Sequence, residues 1–291
     1  MNNVKNVFCI LVLLFTMSCN TNTTIGVQGH RGCRGLLPEN SLPAFEKAVA
    51  LGVNTLELDL AISKDKQVVV SHEPFMSRFY CLKPNGEEIS INQDLAFNFY
   101  EMDYDSIKLF DCGTKQHPRF PQQKNMKTHK PLLSEVFKLS DALNSEIRYN
   151  IEIKAKPEYD NIYTPEPKEY VALVLKVIDE HNIGERCNLQ SFDVRILEEI
   201  KRQAPSMTQA LLVDENEVIA DKLNALSFKP EIISPYFQLL TKDVVAQYQK
   251  EGYSIIPWTV NEKEDMHTVI SYGVNSIITD YPDVLIGILN D

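Results

Sequence analysis

The sequence predicts an α/β fold: a closed (β/α)8 barrel of the TIM type, with a small insertion after a hairpin at residues 55–72. Three observations predict it. From residue 25 onward, short β-branched runs alternate with helical patterns, the mark of βαβ units and a parallel sheet. About eight such units fill a chain of 291 residues, close to the roughly 250 residues of a single barrel. Charged residues stand at the ends of strands, where barrel enzymes keep their reactive groups and a packed core would reject them.

The N-terminus is read separately. Residues 1–18 form a signal peptide of lipoprotein type: Lys5 supplies the positive charge, and 7–15 is an apolar run too short to span a bilayer. Ser18-Cys19 resembles the end of a lipoprotein cleavage box, with Cys19 as the lipidated residue and 19–24 as a polar tether. Thr16 and Met17 fit that box loosely, so an ordinary signal peptide is the alternative. The expected location is exported, in the periplasm or cell envelope, with the membrane reached only through a lipid anchor on Cys19. Residues 25–291 are then one catalytic domain.

Composition bounds the partners. Hydrophobic residues make up 44% and charged residues 24%, which is globular, and the net charge of −11 disfavours nucleic-acid binding through phosphate neutralisation. A small anionic substrate remains compatible, because a metal or a few buried cations reverse the local field. Cys33, Cys81, Cys112 and Cys187 show no metal-ligand spacing. Export permits disulfides, but the sequence leaves the pairing open, and buried free thiols are the competing reading. The oligomeric state is also open.

The elements follow in order. Residues 26–30 read as the first strand and 41–51 as a helix, capped by Asn40 or Ser41 and stopped by Gly52. Residues 55–62 and 67–72 are strands joined by a tight turn, hence an antiparallel hairpin with one arm outside the barrel. Residues 73–131, rich in Pro, Asn, Asp and aromatics, read as an insertion over the barrel mouth. Helix 133–143, strand 148–154, helix 169–181, strand 187–191, helix 194–203 and strand 208–213 come next. Later strands are 231–234, 254–260 and 276–279, with helices near 217–224, 241–250, 262–271 and 282–289.

Residues i and i+2 of a strand share a face, so Glu57 and Asp59 point together, as do Glu152 and Lys154. Leu56, Leu58, Leu60, Ile151 and Ile153 take the outer, helix-covered face, which puts the charges in the lumen or at its rim. The hairpin is expected to set Glu57 opposite His72. Three converging carboxylates cannot all stay ionised without a cation, and an all-oxygen set of Glu57, Asp59 and Glu152 suits Mg²⁺ or Ca²⁺. A metal, two cations and two imidazoles, His30 and His72, is the set that phosphoryl transfer needs. His117, His129, His181 and His267 are expected at the surface or in structural roles, 97–104 as insertion core and the Lys-rich stretch 124–130 as a solvated loop.

His30-Arg31-Gly32, Pro38-Glu39-Asn40-Ser41, Glu57-Leu58-Asp59, His72 and Glu152-Ile153-Lys154 together resemble the glycerophosphodiester phosphodiesterase family. Gln190-Ser191-Phe192, Trp258-Thr259-Val260-Asn261 and Ile278-Thr279-Asp280-Tyr281-Pro282 continue the resemblance in the family's order. It implies hydrolysis of glycerophosphodiesters to sn-glycerol 3-phosphate and an alcohol. It implies one divalent cation, Ca²⁺ or Mg²⁺, on Glu57, Asp59 and Glu152, and an acid–base pair of His30 and His72. Arg31 and Lys154 would hold phosphate, Glu39 would orient Arg31 or the metal shell, and Trp258 would form a wall near the glycerol. The chain departs from the family pattern at Asp65-Lys66, where Asp-Gly is usual, and at Glu73, where Asp usually follows the His. Two rivals belong to other classes: a barrel lipase that cleaves intact lipid to a cyclic phosphate, and a phosphodiester-binding protein without catalysis. Loss of His30, His72 or a carboxylate would mark the second, and all are present.

Overall fold

The computed structural model describes residues 25–291, and the expected signal and tether lie outside the described residues. The strands are β1 (Gly26–Gly29), β2 (Thr55–Ile62), β3 (Val68–Val70), β4 (Arg148–Ile153), β5 (Cys187–Ser191), β6 (Gln209–Val213), β7 (Ile232–Pro235), β8 (Ser254–Ile255) and β9 (Ser276–Thr279). Eight of them lie side by side in the order β8-β7-β6-β5-β4-β2-β1-β9. Every neighbouring pair along that path is parallel. The seam between β8 and β9 is spanned by backbone hydrogen bonds: Asn275 N–H to Ile255 O (2.9 Å), Ile278 N–H to Pro257 O (3.0 Å) and Val260 N–H to Ile278 O (3.0 Å). The sheet therefore curls into a nearly closed (β/α)8 barrel. Among the strands of the described residues β3 pairs with β2 alone, antiparallel, and is the hairpin arm outside the barrel.

The helices are α1 (Leu42–Leu51), α2 (Tyr104–Ile107), α3 (Leu133–Leu143), α4 (Pro167–Glu180), α5 (Val194–Gln203), α6 (Ile219–Asn224), α7 (Lys242–Lys250), α8 (Lys263–Ser271) and α9 (Pro282–Asn290). Ser41 Oγ accepts the Ala44 N–H, and Gly52 closes α1 in the left-handed region at φ 92°, as the cap residues predict. Two strands are shorter than expected by three residues or more. β3 stops at Val70, and β8 stops at Ile255, just before Pro257, whose ring removes a ladder donor.

Alternation along the strands builds two layers. Leu56, Leu58, Leu60, Ile151 and Ile153 are buried in the main core between barrel and helices. Their lumen-facing neighbours include polar groups that satisfy one another: Asn188 Nδ2 donates to Asn150 Oδ1 (2.6 Å), and Asn150 Nδ2 donates to Gln28 Oε1 (2.9 Å). The lumen is thus already polar at the level of Glu57, which pairs with Asn150.

Residues 73–131 build a core of their own. Met76, Tyr80, Ile89, Phe99, Ile107 and Phe110 pack on Ala61 and Val69 of the hairpin, and the aromatic stretch 97–104 contributes to that core as expected. Cys81 and Cys112 form a disulfide, while Cys33 and Cys187 are buried free thiols. The hairpin register corrects one expectation. Leu60 pairs with Val70, and Ser71 donates its N–H to the Asp59 carbonyl (2.9 Å), so His72 stands level with Leu58 rather than Glu57.

The disulfide spans 31 positions, a loop whose closure is worth about 3–4 kcal/mol by chain entropy. A Cys81→Ser/Cys112→Ser variant is expected to unfold at a lower temperature and to exchange backbone amides of residues 73–131 faster, with barrel strands still protected. Unchanged exchange across the insertion would show that its apolar core holds it without the bridge.

Candidate active site

The site forms where the parallel strands end. The β2–β4 register pairs Asp59 with Glu152, and Glu57 lies two residues earlier on the same face. One carboxylate oxygen from each of Glu57, Asp59 and Glu152 falls within 4.8 Å of the others, and all three residues are buried. Burial, then the charges of Asp59 and Glu152, push the Glu57 pKa well above the usual carboxylate range. Burial, with the Asp59 charge outweighing part of the pull of Lys154, raises Glu152 to about 7. Asp59 goes the other way: burial opposes its charge, but Arg31, His72 and Lys154 hold it well below the ordinary value.

A left-handed turn aims the first strand's residues. Gly29 ends β1, and a Cβ there would come within 2.1 Å of the Gly32 carbonyl. Arg31 has φ 51° and Asn40 φ 50°, unusual for residues with a side chain and costing about 1–3 kcal/mol each. The turn directs the Arg31 N–H to Glu57 Oε2 (3.0 Å) and the guanidinium towards Glu39 (2.8 Å) and Asp59 (3.2 Å). Asn40 Nδ2 donates to Asp59 Oδ2 at 2.8 Å. Glu39 is buried, and Arg31 and Arg34 hold its pKa at about 2 against that burial.

The two histidines are each held by a carboxylate. His30 Nδ1 lies 2.7 Å from Asp280 Oδ1, and its Nε2 is 3.8 Å from Glu57 Oε2. Burial, then Arg34, lower the His30 pKa to about 4 despite Asp280. Asp280 is itself gripped by Arg34 through Nε (2.8 Å) and Nη2 (3.0 Å) and by Asn261 Nδ2 (2.8 Å). His72 Nδ1 lies 2.9 Å from Glu73 Oε1, and Tyr80 of the insertion donates to Glu73 Oε2 at 2.5 Å. Removal from water, then Arg31 and Lys154, lower the His72 pKa.

A cavity of about 320 Å³ joins these groups. His30, Arg31, Glu57, His72, Glu152, Lys154 and Trp258 all line it. Lys154 Nζ is 2.8 Å from Glu152, and Trp258 stands edge-on to Phe192 with its Nε1–H on the Ser234 carbonyl (2.9 Å). Glu39 is set back, bonded to Arg31 and facing Arg34, so it positions cations rather than lining this space.

Gln190 and Asp280 stood in the motifs of the resemblance without a role, and Arg34 and Arg119 were given none; all four reach the site, and Gln190 Nε2 donates to Glu57 Oε1 at 3.1 Å. Asp280 carried a usable signal, a charge directly after an apolar strand. His117 takes the structural of its two expected roles, buried and stacked on Tyr80, 3.7 Å from Glu39. One expectation is corrected. Lys130 is 1% exposed rather than solvated, because Tyr80 and the nearby Glu39 and Glu73 compensate its charge.

The residues fit a hard divalent cation. The donors are all oxygen, Glu57 and Glu152 are held back from ionising by burial and by neighbouring carboxylates, and buried Gln190 Oε1 beside them has no hydrogen-bond partner.

Comparison with known proteins agrees with this geometry. The model of the "Glycerophosphoryl diester phosphodiesterase family" matches residues 30–284. The glycerophosphodiester phosphodiesterase of Caldanaerobacter subterraneus subsp. tengcongensis is 31% identical over 263 residues, 90% of this chain and 97% of its own. The Bacillus subtilis glycerophosphodiester phosphodiesterase is 26% identical, over 88% of this chain and 83% of its own. A solved structure from Silicibacter pomeroyi DSS-3, described as a candidate glycerophosphoryl diester phosphodiesterase, superposes with a TM-score of 0.85 at 29% identity, covering 93% of this chain and 94% of its own. The chain belongs to the glycerophosphoryl diester phosphodiesterase family.

Proposed function

We propose that this enzyme hydrolyses glycerophosphodiesters to sn-glycerol 3-phosphate and an alcohol, with His30 and His72 moving the protons and Glu57, Asp59 and Glu152 holding one divalent cation, Ca²⁺ or Mg²⁺. The observation that carries the reading is the pair of carboxylate-held imidazoles on one cavity with the carboxylate cluster. The cation, when bound, supplies charge neutralisation at the phosphoryl oxygens. Residues 25–291 act as one catalytic unit, with 73–131 inserted over the site.

The protein's own groups divide the work. Asp280 accepts the Nδ1–H of His30 and fixes its tautomer, which leaves Nε2 to accept a proton. A pKa of about 4 keeps that ring neutral near pH 7, so His30 takes the proton from the attacking oxygen, either water or the substrate's own glycerol hydroxyl. Glu73 orients His72 in the same way, and the anionic substrate offsets Arg31 and Lys154, letting His72 carry the proton to the leaving alcohol. Arg31 and Lys154 face the phosphate, and Trp258 flanks the glycerol.

Positioned acids and bases contribute about 10²–10⁴-fold each. His30→Ala and His72→Ala are each expected to lower kcat by about that much with the fold retained. A nitrophenyl phosphodiester, whose leaving group needs little protonation, should rescue His72→Ala and not His30→Ala. Near-normal turnover of glycerophosphocholine by either variant removes that residue from the mechanism.

The metal has a pH signature of its own. Glu152 keeps its proton up to about pH 7 in the folded metal-free protein, against an ordinary value of 4.5. Its folded pKa is raised, so its contribution to stability is present at low pH and is lost as pH rises through about 7. A cation replaces the proton. The rise in melting temperature on adding Ca²⁺ or Mg²⁺ to chelator-treated protein should therefore be larger at about pH 8 than at about pH 5.5, and Glu57→Gln should shrink it. An increment of equal size at both pH values refutes the carboxylate site.

Localisation rests on the sequence of residues 1–24. No helix of the described residues is long and apolar enough to cross a membrane. Lipidation of Cys19 should place the enzyme in the membrane fraction of the cell envelope, and Cys19→Ala should release it. Identical fractionation of both, with no acyl mass on Cys19, overturns the anchor.

A further inference from the structure

A second cavity, of about 330 Å³, adjoins the first. Pro74, Phe75, Ala155 and Tyr159 give it a mostly apolar wall, with Lys156 at its rim. The two cavities share His72, Glu152, Lys154 and Phe192, whereas His30, Arg31 and Trp258 line only the first. A phosphodiester has two arms. A phosphate held at the shared Lys154 sends one arm into each space. The attacking oxygen belongs with His30 in the barrel cavity, and the departing oxygen belongs with His72, which faces both.

We infer that the second cavity receives the leaving alcohol, and that its chemistry selects a neutral ring polyol over a quaternary ammonium. The inference rests on the phosphodiesterase reading above. Its volume lies at the low end of the roughly 300–1,000 Å³ of small-molecule sites, enough for a six-membered ring. Phe75, Tyr159 and Tyr163 form a contiguous aromatic group, with Tyr159 and Tyr163 4.9 Å apart and Phe75 and Tyr163 6.2 Å apart. Such faces suit the C–H side of a polyol ring. They would also suit a methylated ammonium, but that position is taken: Lys156 Nζ sits 3.9 Å from the Tyr159 ring centroid. Lys154 adds a second positive charge. The acids present are committed, Glu73 to His72 and Tyr80, and Glu152 to Lys154. An entering cation therefore meets two ammonium groups, while ring hydroxyls find donors in the same lysines.

The test separates binding from turnover. Glycerophosphoinositol and glycerophosphocholine are titrated calorimetrically into the Ca²⁺-loaded His30→Ala protein. Glycerophosphoinositol should bind tighter by roughly tenfold, the size of one cation–π or charge contact. Lys156→Glu in that background should reverse the order, and Tyr159→Ala should erase it. Lys156 is exposed, so its replacement leaves packing intact. Equal or tighter binding of glycerophosphocholine, or an order unmoved by Lys156→Glu, overturns the subsite. Binding in the expected order together with no release of sn-glycerol 3-phosphate by the parent enzyme would sink the activity reading and leave the subsite standing.

Discussion

Everything at the mouth of this barrel answers to the crowding of Glu57, Asp59 and Glu152. Parallel pairing without slippage sets Asp59 and Glu152 at the same level of adjacent strands, so the barrel's own register forces their carboxylates together. In a poorly polarisable interior such charges repel strongly. The surrounding groups read as responses. Arg31 is bent into a left-handed turn so that both its amide and its guanidinium reach the cluster. Lys154 leans on Glu152 and Asp59, and Gln190 and Asn40 donate to the remaining oxygens. Even so, burial and mutual repulsion keep Glu57 and Glu152 reluctant to ionise, an arrangement whose chemistry suits a cation.

The histidines reach similar arrangements by different routes. His30 draws its carboxylate from the opposite end of the chain, across the β1–β9 pairing. His72 draws its own from the next residue, and that residue is steadied by Tyr80 from the insertion. Tyr80 in turn stacks on His117 and covers the ammonium of Lys130. The insertion is therefore more than a cover: it sets the electrostatics behind His72 and contributes Arg119 to the cavity.

Most of the barrel was legible because strand and helix periods are local. The i, i+2 rule placed Glu57, Asp59 and Glu152 on one face, and cap residues marked both ends of α1. Relations that depend on closure were not legible. Asp280 meets His30 across 250 residues, a distance no spacing rule spans. In the insertion there is no period to read, so the Cys81–Cys112 bridge and the burial of His117 and Lys130 emerged only from the packing. The hairpin register was misjudged by one residue because turn length, not hydrophobic pattern, decides it. Glu73 read as a departure from the family pattern, yet its longer side chain still reaches His72 and Tyr80.

The adjacency of β1 and β9 also orders events in time. β1 begins near the start of the described chain and β9 ends twelve residues before the last, so their pairing closes a loop of nearly the whole domain. Contacts of such separation form late, because loop-closure entropy must be met first. Until β9 docks, β1 has a bare edge, His30 has no carboxylate on Nδ1, and Arg34 has no Asp280 to hold. A ribosome still holding the C-terminal segment thus holds a chain whose His30 is unoriented. The final strand therefore completes the site, and a half-made molecule carries Glu57, Asp59 and Glu152 beside an unanchored His30.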